Sequence, residues 1–270
     1  WRVMEEKAWL GQGDIMLLAL LSDIHAKVRA LDACLTHARS IGVSQFAFLG
    51  DLVGYGAEPG AVVDRIMALA KDGAFVLKGN HDELAAAPQA DTSTSPSQSM
   101  DQAAANWTRQ QLSLEQKQFL TELPMTAQVG ECLLVHASAD APQKWRYVDD
   151  ARSAGVSLDA GVATAGVRNV FGGHVHHQTL YYRGTGRDLM AFKPTPGVAI
   201  PLTRPRHWIA TVGSVGQPRD GNARAMYAVF DAAQAKLAFF RVGYDHIAAA
   251  AAIRAAGQPE YFAQRLEDGR

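Results

Sequence analysis

The stretch MLLALLSDIH, residues 16–25, decides how this chain reads. Its first six residues are apolar without a break, which fits a strand buried on both faces; a half-exposed strand would alternate apolar with polar residues. Polar residues follow at once, and Asp23 and His25 carry side chains that serve as acid, base or metal ligand. Next, Val28, Leu31, Leu35, Ala38 and Ile41 recur at helical spacing and Gly42 closes the segment, predicting a helix over 26–41. A strand at 45–49 follows, then a helix through Val62, Val63, Ile66, Leu69 and Ala70 that stops at Gly73, then a strand at 74–77. Strand, helix, strand, helix, strand is the order of a parallel α/β sheet.

Beyond this half the composition changes. Residues 88–99 (PQADTSTSPSQS) are polar and broken by two prolines, which predicts an exposed loop. Helical patterns resume at Asp101, read as an N-cap, and at Ser113, which pairs with Gln116 as a capping box; Pro124 ends the second. Strands are expected at 125–129 and 131–135 about a turn at Gly130, and helices at 149–154 and 157–165. From there the chain is strand-rich, at 167–171, 179–183, 189–192, 208–212, 225–230 and 236–242, before a helical end over 245–266 with a cap at Gly257. At the other end the chain starts with Trp1, and residues 1–14 read as an upstream extension or an expression remnant.

Composition narrows the class. With 270 residues, 48% of them hydrophobic, and 26 Lys+Arg against 27 Asp+Glu, the chain must collapse around a core rather than stay disordered. The near-zero net charge argues against a general nucleic-acid binder, which needs a positive field. The longest aliphatic run, 15–21, has seven residues, far short of the ~20 that span a bilayer, and no secretory signal is visible. Cys34 and Cys132 fall in an expected helix and an expected strand, which predicts two reduced, buried thiols and a soluble, cytoplasmic protein.

The chemistry sits where strands end. Asp23 and His25 follow LLALL, Gly50-Asp51 follows FAFL, Lys78 to Asp82 (KGNHD) follows FVL, His136 follows CLLV, and His174 and His176 follow NVFGG. In an open α/β sheet the crevice outside the carboxyl ends of the strands is where ligands bind, so these side chains should converge. The D-x-H and H-x-H spacings would point both members of each pair to one side of extended chain, where a pair can share a metal. Carboxylates and imidazoles without thiolate suit Mn, Fe or Zn in a catalytic site. Seven such ligands are too many for one ion and suit two, provided one carboxylate bridges. Two metals about 3.5–4 Å apart are the usual device for in-line phosphoryl displacement. Any one motif alone reads as a turn or an ordinary core histidine, and the ordered set carries the signal. His177 should point away from the pair it adjoins, and His37, His207 and His246 read as structural or solvated.

The ordered set Asp23-x-His25, Gly50-Asp51, Gly79-Asn80-His81-Asp82, His136 and Gly173-His174-x-His176 resembles the calcineurin-like metallophosphoesterase superfamily. GDLVGYG at 50–56 and GSVGQPRDG at 213–221 are similar to its bacterial predicted-phosphodiesterase branch, often labelled diadenosine-tetraphosphatase-like. The resemblance runs from Met16 to about Val242. It implies a four-layer α-β-β-α sandwich of two mixed sheets in a single domain over 15–270, with residues 84–124 as a helical cap insertion. It also implies two transition-metal ions, one held by Asp23, His25, Asp51 and His176, the other by Asp51, Asn80, His136 and His174, with a water or hydroxide shared opposite the Asp51 bridge. His81 would stabilise phosphoryl charge or protonate the leaving oxygen, and Arg219 is a possible contact for a substrate phosphate. The expected activity is hydrolysis of a small phosphorylated substrate, a phosphodiester first. A dinucleoside polyphosphate, a phosphoprotein, and a non-catalytic scaffold on the same fold are the alternatives. One departure bears on the choice: the protein-phosphatase branch places an Asp where this chain has Gly54, so the partner that orients His81 is not visible in the sequence.

Overall fold

The computed structural model describes residues 17–87, 100–184 and 189–270. The extension expected at 1–14 and the loop expected at 88–99 lie outside the described residues. The first half runs β1 (Leu17–Leu21), α1 (Val28–Ser40), β2 (Gln45–Phe48), α2 (Pro59–Lys71), β3 (Phe75–Val76) and α3 (Asn80–Ala86). Two helices follow, α4 (Met100–Gln111) and α5 (Leu114–Glu122), then β4 (Thr126–Val129), β5 (Cys132–Val135), α6 (Ala151–Val162) and β6 (Asn169–Gly172). The remainder is β7 (Gln178–Arg183), β8 (Leu189–Phe192), β9 (Ala199–Pro201), β10 (Trp208–Val212), β11 (Ala225–Asp231), β12 (Lys236–Val242), α7 (His246–Ala255) and α8 (Glu260–Asp268).

The strands form two six-stranded mixed sheets, in the orders β3-β2-β1-β11-β12-β9 and β4-β5-β6-β10-β7-β8. Within the first, β1, β2 and β3 run parallel; within the second, β5, β6 and β10 do. The unbroken apolar run at β1 follows from burial on both faces. Leu18 and Leu20 pack into the core between the sheets with Leu134, Phe171, Phe230 and Phe239, while Ala19 and Leu21 pack outward with Leu31 and Leu35 of α1 and Val63 and Ile66 of α2. On the far side, Leu133, Val170 and Ile209 pack against Ala154 and Leu158 of α6. The layers are therefore helix, sheet, sheet, helix, the sandwich that the sequence motifs imply. Each fully buried Phe or Leu in these layers is worth ~1.5–3 kcal/mol relative to an exposed one.

Four local expectations are corrected. One helix, α6, covers 151–162 where two were expected, because burial of Ala154 and Leu158 outweighs the ~1 kcal/mol that a glycine such as Gly155 costs in a helix. The helical end is two helices, with the break at Gly257-Gln258-Pro259. Asp101 lies inside α4, which already includes Met100, so it is not the N-cap. The strand β9 was not expected; among the described residues its three residues pair only with β12, at the sheet edge, where Pro201 is tolerated and too few residues alternate to show a period. Among the described residues, no helix is long and apolar enough to cross a membrane.

Candidate metal centre

The parallel strands of both sheets release their polar residues at one end of the sandwich, and backbone hydrogen bonds hold the released loops together. The β1–β2 ladder continues past the strands through Asp23 N–H to the Gly50 carbonyl (3.0 Å), His25 N–H to Asp51 (3.0 Å) and Ala26 N–H to Leu52 (2.9 Å). From the second sheet, the loop after β10 lies across this end, with Val215 N–H on the Ser22 carbonyl and Gly216 N–H on Asp23, both at 2.9 Å. The sheets approach so closely that a Cβ at Gly173 would stand 1.9 Å from Ser22 Oγ and 2.5 Å from Asp23 Oδ2, so only glycine fits.

Two clusters result. Asp23, His25 and His176 bring ligand atoms within 4.8 Å of one another, and Asp51, His136 and His174 do the same; all six residues are buried. Each cluster draws on both sheets. The H-x-H pair does not share a cluster, and its members are not in extended chain: Asp23, His25, Asp51, His174 and His176 have φ of 55°, 49°, 53°, 68° and 59°. Tight left-handed turns, rather than strand alternation, aim these side chains. Such conformations are strained for residues other than glycine and persist only where the surroundings impose them.

Hydrogen bonds fix which imidazole nitrogen faces inward. Nδ1 of His25, His136 and His176 donates to the carbonyls of Val53 (3.1 Å), Leu49 (2.8 Å) and Gln217 (2.6 Å), and Nε2 of His174 donates to Trp145 (2.9 Å). A carbonyl only accepts, so in each ring the opposite nitrogen is the one that faces the centre, with a lone pair to offer once it carries no proton. The Nε2 atoms of His25 and His176 then face each other at 3.1 Å, and His176 Nε2 lies 3.1 Å from Asp23 Oδ1, a buried oxygen with no hydrogen-bond partner. Lone pairs and a carboxylate oxygen pressed together repel unless a cation sits among them, so this donor set fits a metal ion.

In the second cluster the inward nitrogen of His136 meets two oxygens. His136 Nε2 faces Asp51 Oδ2 at 3.4 Å and Asn80 Oδ1 at 3.2 Å, and Asp51 Oδ2 also lies 3.9 Å from His25 Nε2, so Asp51 faces both clusters. Burial lowers His136, but the charge and hydrogen bond of Asp51 outweigh it and hold the imidazole up at about 9. By contrast burial pushes His25 and His176 down. Burial disfavours the charged form of Asp51 and Asp23 as well, yet the surrounding imidazoles keep both carboxyls below their ordinary range.

Of the other residues singled out from sequence, Asn80 joins the edge of the second cluster, and His81 lies beside the clusters but in neither. The His81 N–H donates to Asp51 Oδ1 (2.8 Å), and its ring packs beside His25 with centroids 5.2 Å apart. Arg219 touches no cluster residue by hydrogen bond; its Nη2 reaches Gln217 Oε1 (3.0 Å) and its buried Nε has no acceptor. His177 turns away to the Arg219 carbonyl (3.2 Å). Sequence reasoning assigned no role to Asp82, whose carboxylate accepts from the N–H groups of Leu52, Val53 and Gly79 (2.9, 3.2 and 2.9 Å) and so ties the β2 loop to α3. Burial and the Asp51 charge push that carboxyl up to about 7. Its place in the GNHD string was the available signal. A cavity of about 440 Å³ lined by Arg168, Arg204 and Arg206 opens at the opposite end of the sandwich and holds none of these residues.

Residues 16–235 match the calcineurin-like phosphoesterase superfamily domain. The chain is a calcineurin-like phosphoesterase. It is 31% identical to a metallophosphoesterase from Sphaerobacter thermophilus, whose crystal structure superposes with a TM-score of 0.81 over 95% of this chain and 100% of that one. An uncharacterized protein of Methanocaldococcus jannaschii is 29% identical over 94% of this chain and 98% of its own length. The fold is also that of a hypothetical protein from Pyrococcus horikoshii OT3, at 19% identity, a TM-score of 0.73 and coverage of 95% and 99%. This phosphoesterase is thus a metal-dependent hydrolase of phosphoesters, and the two buried clusters are where its chain can hold metal.

Proposed function

We propose that this phosphoesterase is a phosphodiesterase that works with two transition-metal ions, one held by Asp23, His25, Asp51 and His176 and the other by Asp51, Asn80, His136 and His174. The observation that carries the reading is the grouping of inward-facing imidazole nitrogens and carboxylate oxygens into two buried clusters, with Asp51 Oδ2 facing both. When bound, two cations there supply a water of lowered pKa and Lewis-acid stabilisation of the phosphoryl oxygens. The chain does the rest. Backbone carbonyls lock each ring so that the ligands are preorganised, and burial keeps competing water out. His81, anchored by its N–H to Asp51, stabilises phosphoryl charge or gives its ring proton to the departing oxygen. Arg219, with an Nε lacking an acceptor, is the candidate to hold a phosphate oxygen.

The strings at 50–56 and 213–221 favour a diester, and Gly54 argues against a phosphoprotein substrate. All seven ligand positions are filled, which argues against a scaffold. The two cysteines are unpaired and buried, which fits a reducing compartment such as the cytoplasm. A panel of bis(4-nitrophenyl) phosphate, 4-nitrophenyl phosphate, diadenosine tetraphosphate and a phosphopeptide, each with Mn, Fe or Zn, tests the reading. The diester should turn over fastest, and faster turnover of the phosphopeptide overturns it. Asp51→Asn should lose both metal and rate, whereas His81→Ala should keep metal and lose ~10²–10⁴ in kcat.

A further inference from the structure

Gly54 leaves a question that the packing answers. A Cβ at Gly54, whose φ is +90°, would stand 2.9 Å from His81 Nδ1 and 3.1 Å from its Cβ, so no side chain of any kind fits between loop and ring. Among the described residues, the His81 ring takes part in no hydrogen bond to another side chain or carbonyl. What it does touch is Tyr55. The two ring centroids lie 4.4 Å apart with planes at 60°, and Tyr55 also packs against His25 at 4.8 Å.

Tyr55 is itself held from outside the centre. It is buried at 7% exposure and in the left-handed region (φ 57°), a conformation that costs a tyrosine energy and is kept only by its surroundings. The α7–α8 hairpin supplies them. Phe262 packs on the Tyr55 ring with centroids 5.0 Å apart, Ile253, Ala263 and Leu266 lie in the same buried cluster together with Ala104 of α4, and Gln258 Nε2 donates to the Gly56 carbonyl at 2.6 Å.

We propose that Tyr55 is a positioning residue for His81, its ring doing by packing what a hydrogen-bonding carboxylate would do by charge, and that the C-terminal hairpin holds it in place. The inference rests on the reading of His81 as a group that acts on the phosphoryl or leaving oxygen. A wedge of this kind limits the imidazole to few rotamers without tying up either nitrogen in a hydrogen bond. The C-terminal helices, far along the chain from every metal-ligating residue, are thereby part of the active enzyme.

The test compares Tyr55→Leu, Tyr55→Phe and Phe262→Ala in the wild-type and His81→Ala backgrounds, with metal content, kcat and KM measured for each on bis(4-nitrophenyl) phosphate. Tyr55→Leu should lower kcat between about ten- and a hundredfold with KM and metal content unchanged, since loss of alignment acts on the transition state. Tyr55→Phe, which keeps the ring, should restore kcat. Phe262→Ala, remote from the centre, should lower kcat in the same direction by less, and it carries the test if Tyr55→Leu fails to fold. In the His81→Ala background neither change should lower kcat further, because a residue acting through His81 has nothing left to position. Wild-type kcat in both Tyr55→Leu and Phe262→Ala, or equal losses in the two backgrounds, overturns the proposal. Wild-type kcat in His81→Ala alone overturns the role of His81, a separate outcome.

Discussion

The His136 imidazole donates through Nδ1 to Leu49 and faces Asp51 and Asn80 through Nε2, so in the ion-free protein it holds a second proton up to about pH 9. A cation entering the second cluster must displace that proton. Affinity should therefore rise with pH until about 9 and level off above it, with a proton released on binding at pH 7.5. Calorimetric titration of metal into ion-free protein, in two buffers of different ionisation enthalpy, measures this; equal heats in both would rule it out. The residue types and their order along the chain were legible in the sequence, because each candidate ligand follows an apolar run. The tautomers were not, since Leu49, Val53, Trp145 and Gln217 act through carbonyls that every residue carries. The left-handed turns were also hidden: nothing in the letters of Asp23 or His174 reports φ, and extended chain was the natural expectation.

At the scale of elements, sequence and structure agree where one local signal dominates. Ser113 and Gln116 form the reciprocal cap read from their spacing, with Gln116 N–H on Ser113 Oγ (3.1 Å) and Ser113 N–H on Gln116 Oε1 (2.9 Å). The spacing did not reveal that Gln116 Nε2 also donates to Asp64 (2.7 Å) and the Gly60 carbonyl (3.2 Å), tying α5 to α2. Ser113→Ala should cost about 1 kcal/mol, the usual loss of an N-cap. Gln116→Ala should cost more, because it also removes the two hydrogen bonds to Asp64 and the Gly60 carbonyl, each worth ~0.5–1.5 kcal/mol net. Denaturant midpoints would decide, and equal losses would show that the α2 tie contributes nothing. Expectations failed where tertiary burial overrides local preference, as in α6, or where pairing with another strand is the only cue, as in β9.

For the whole molecule, the sheet assignments were implied by the order of motifs rather than by any periodicity, because the partner of a strand is set by chain path. The pairing of β1 with β11, more than two hundred residues away, has no local trace. Metal should matter to global stability, since an ion that binds only the native state stabilises it by ~2.7 kcal/mol at a hundredfold excess over Kd. For a chain of this size ~1 kcal/mol moves Tm by ~2–4 °C. Loaded protein should thus melt several degrees above chelated protein, and an unchanged Tm would count against both clusters as tight sites. The clusters have one more consequence. Asp23 and His25 leave the first sheet and His176 the second, just as Asp51 leaves the first and His136 and His174 the second. Each ion would serve as a rivet through both sheets. Neither half of the sandwich alone holds a complete cluster, so in a folding chain metal uptake would wait for the sheets to dock, and parting the sheets would also release the ions.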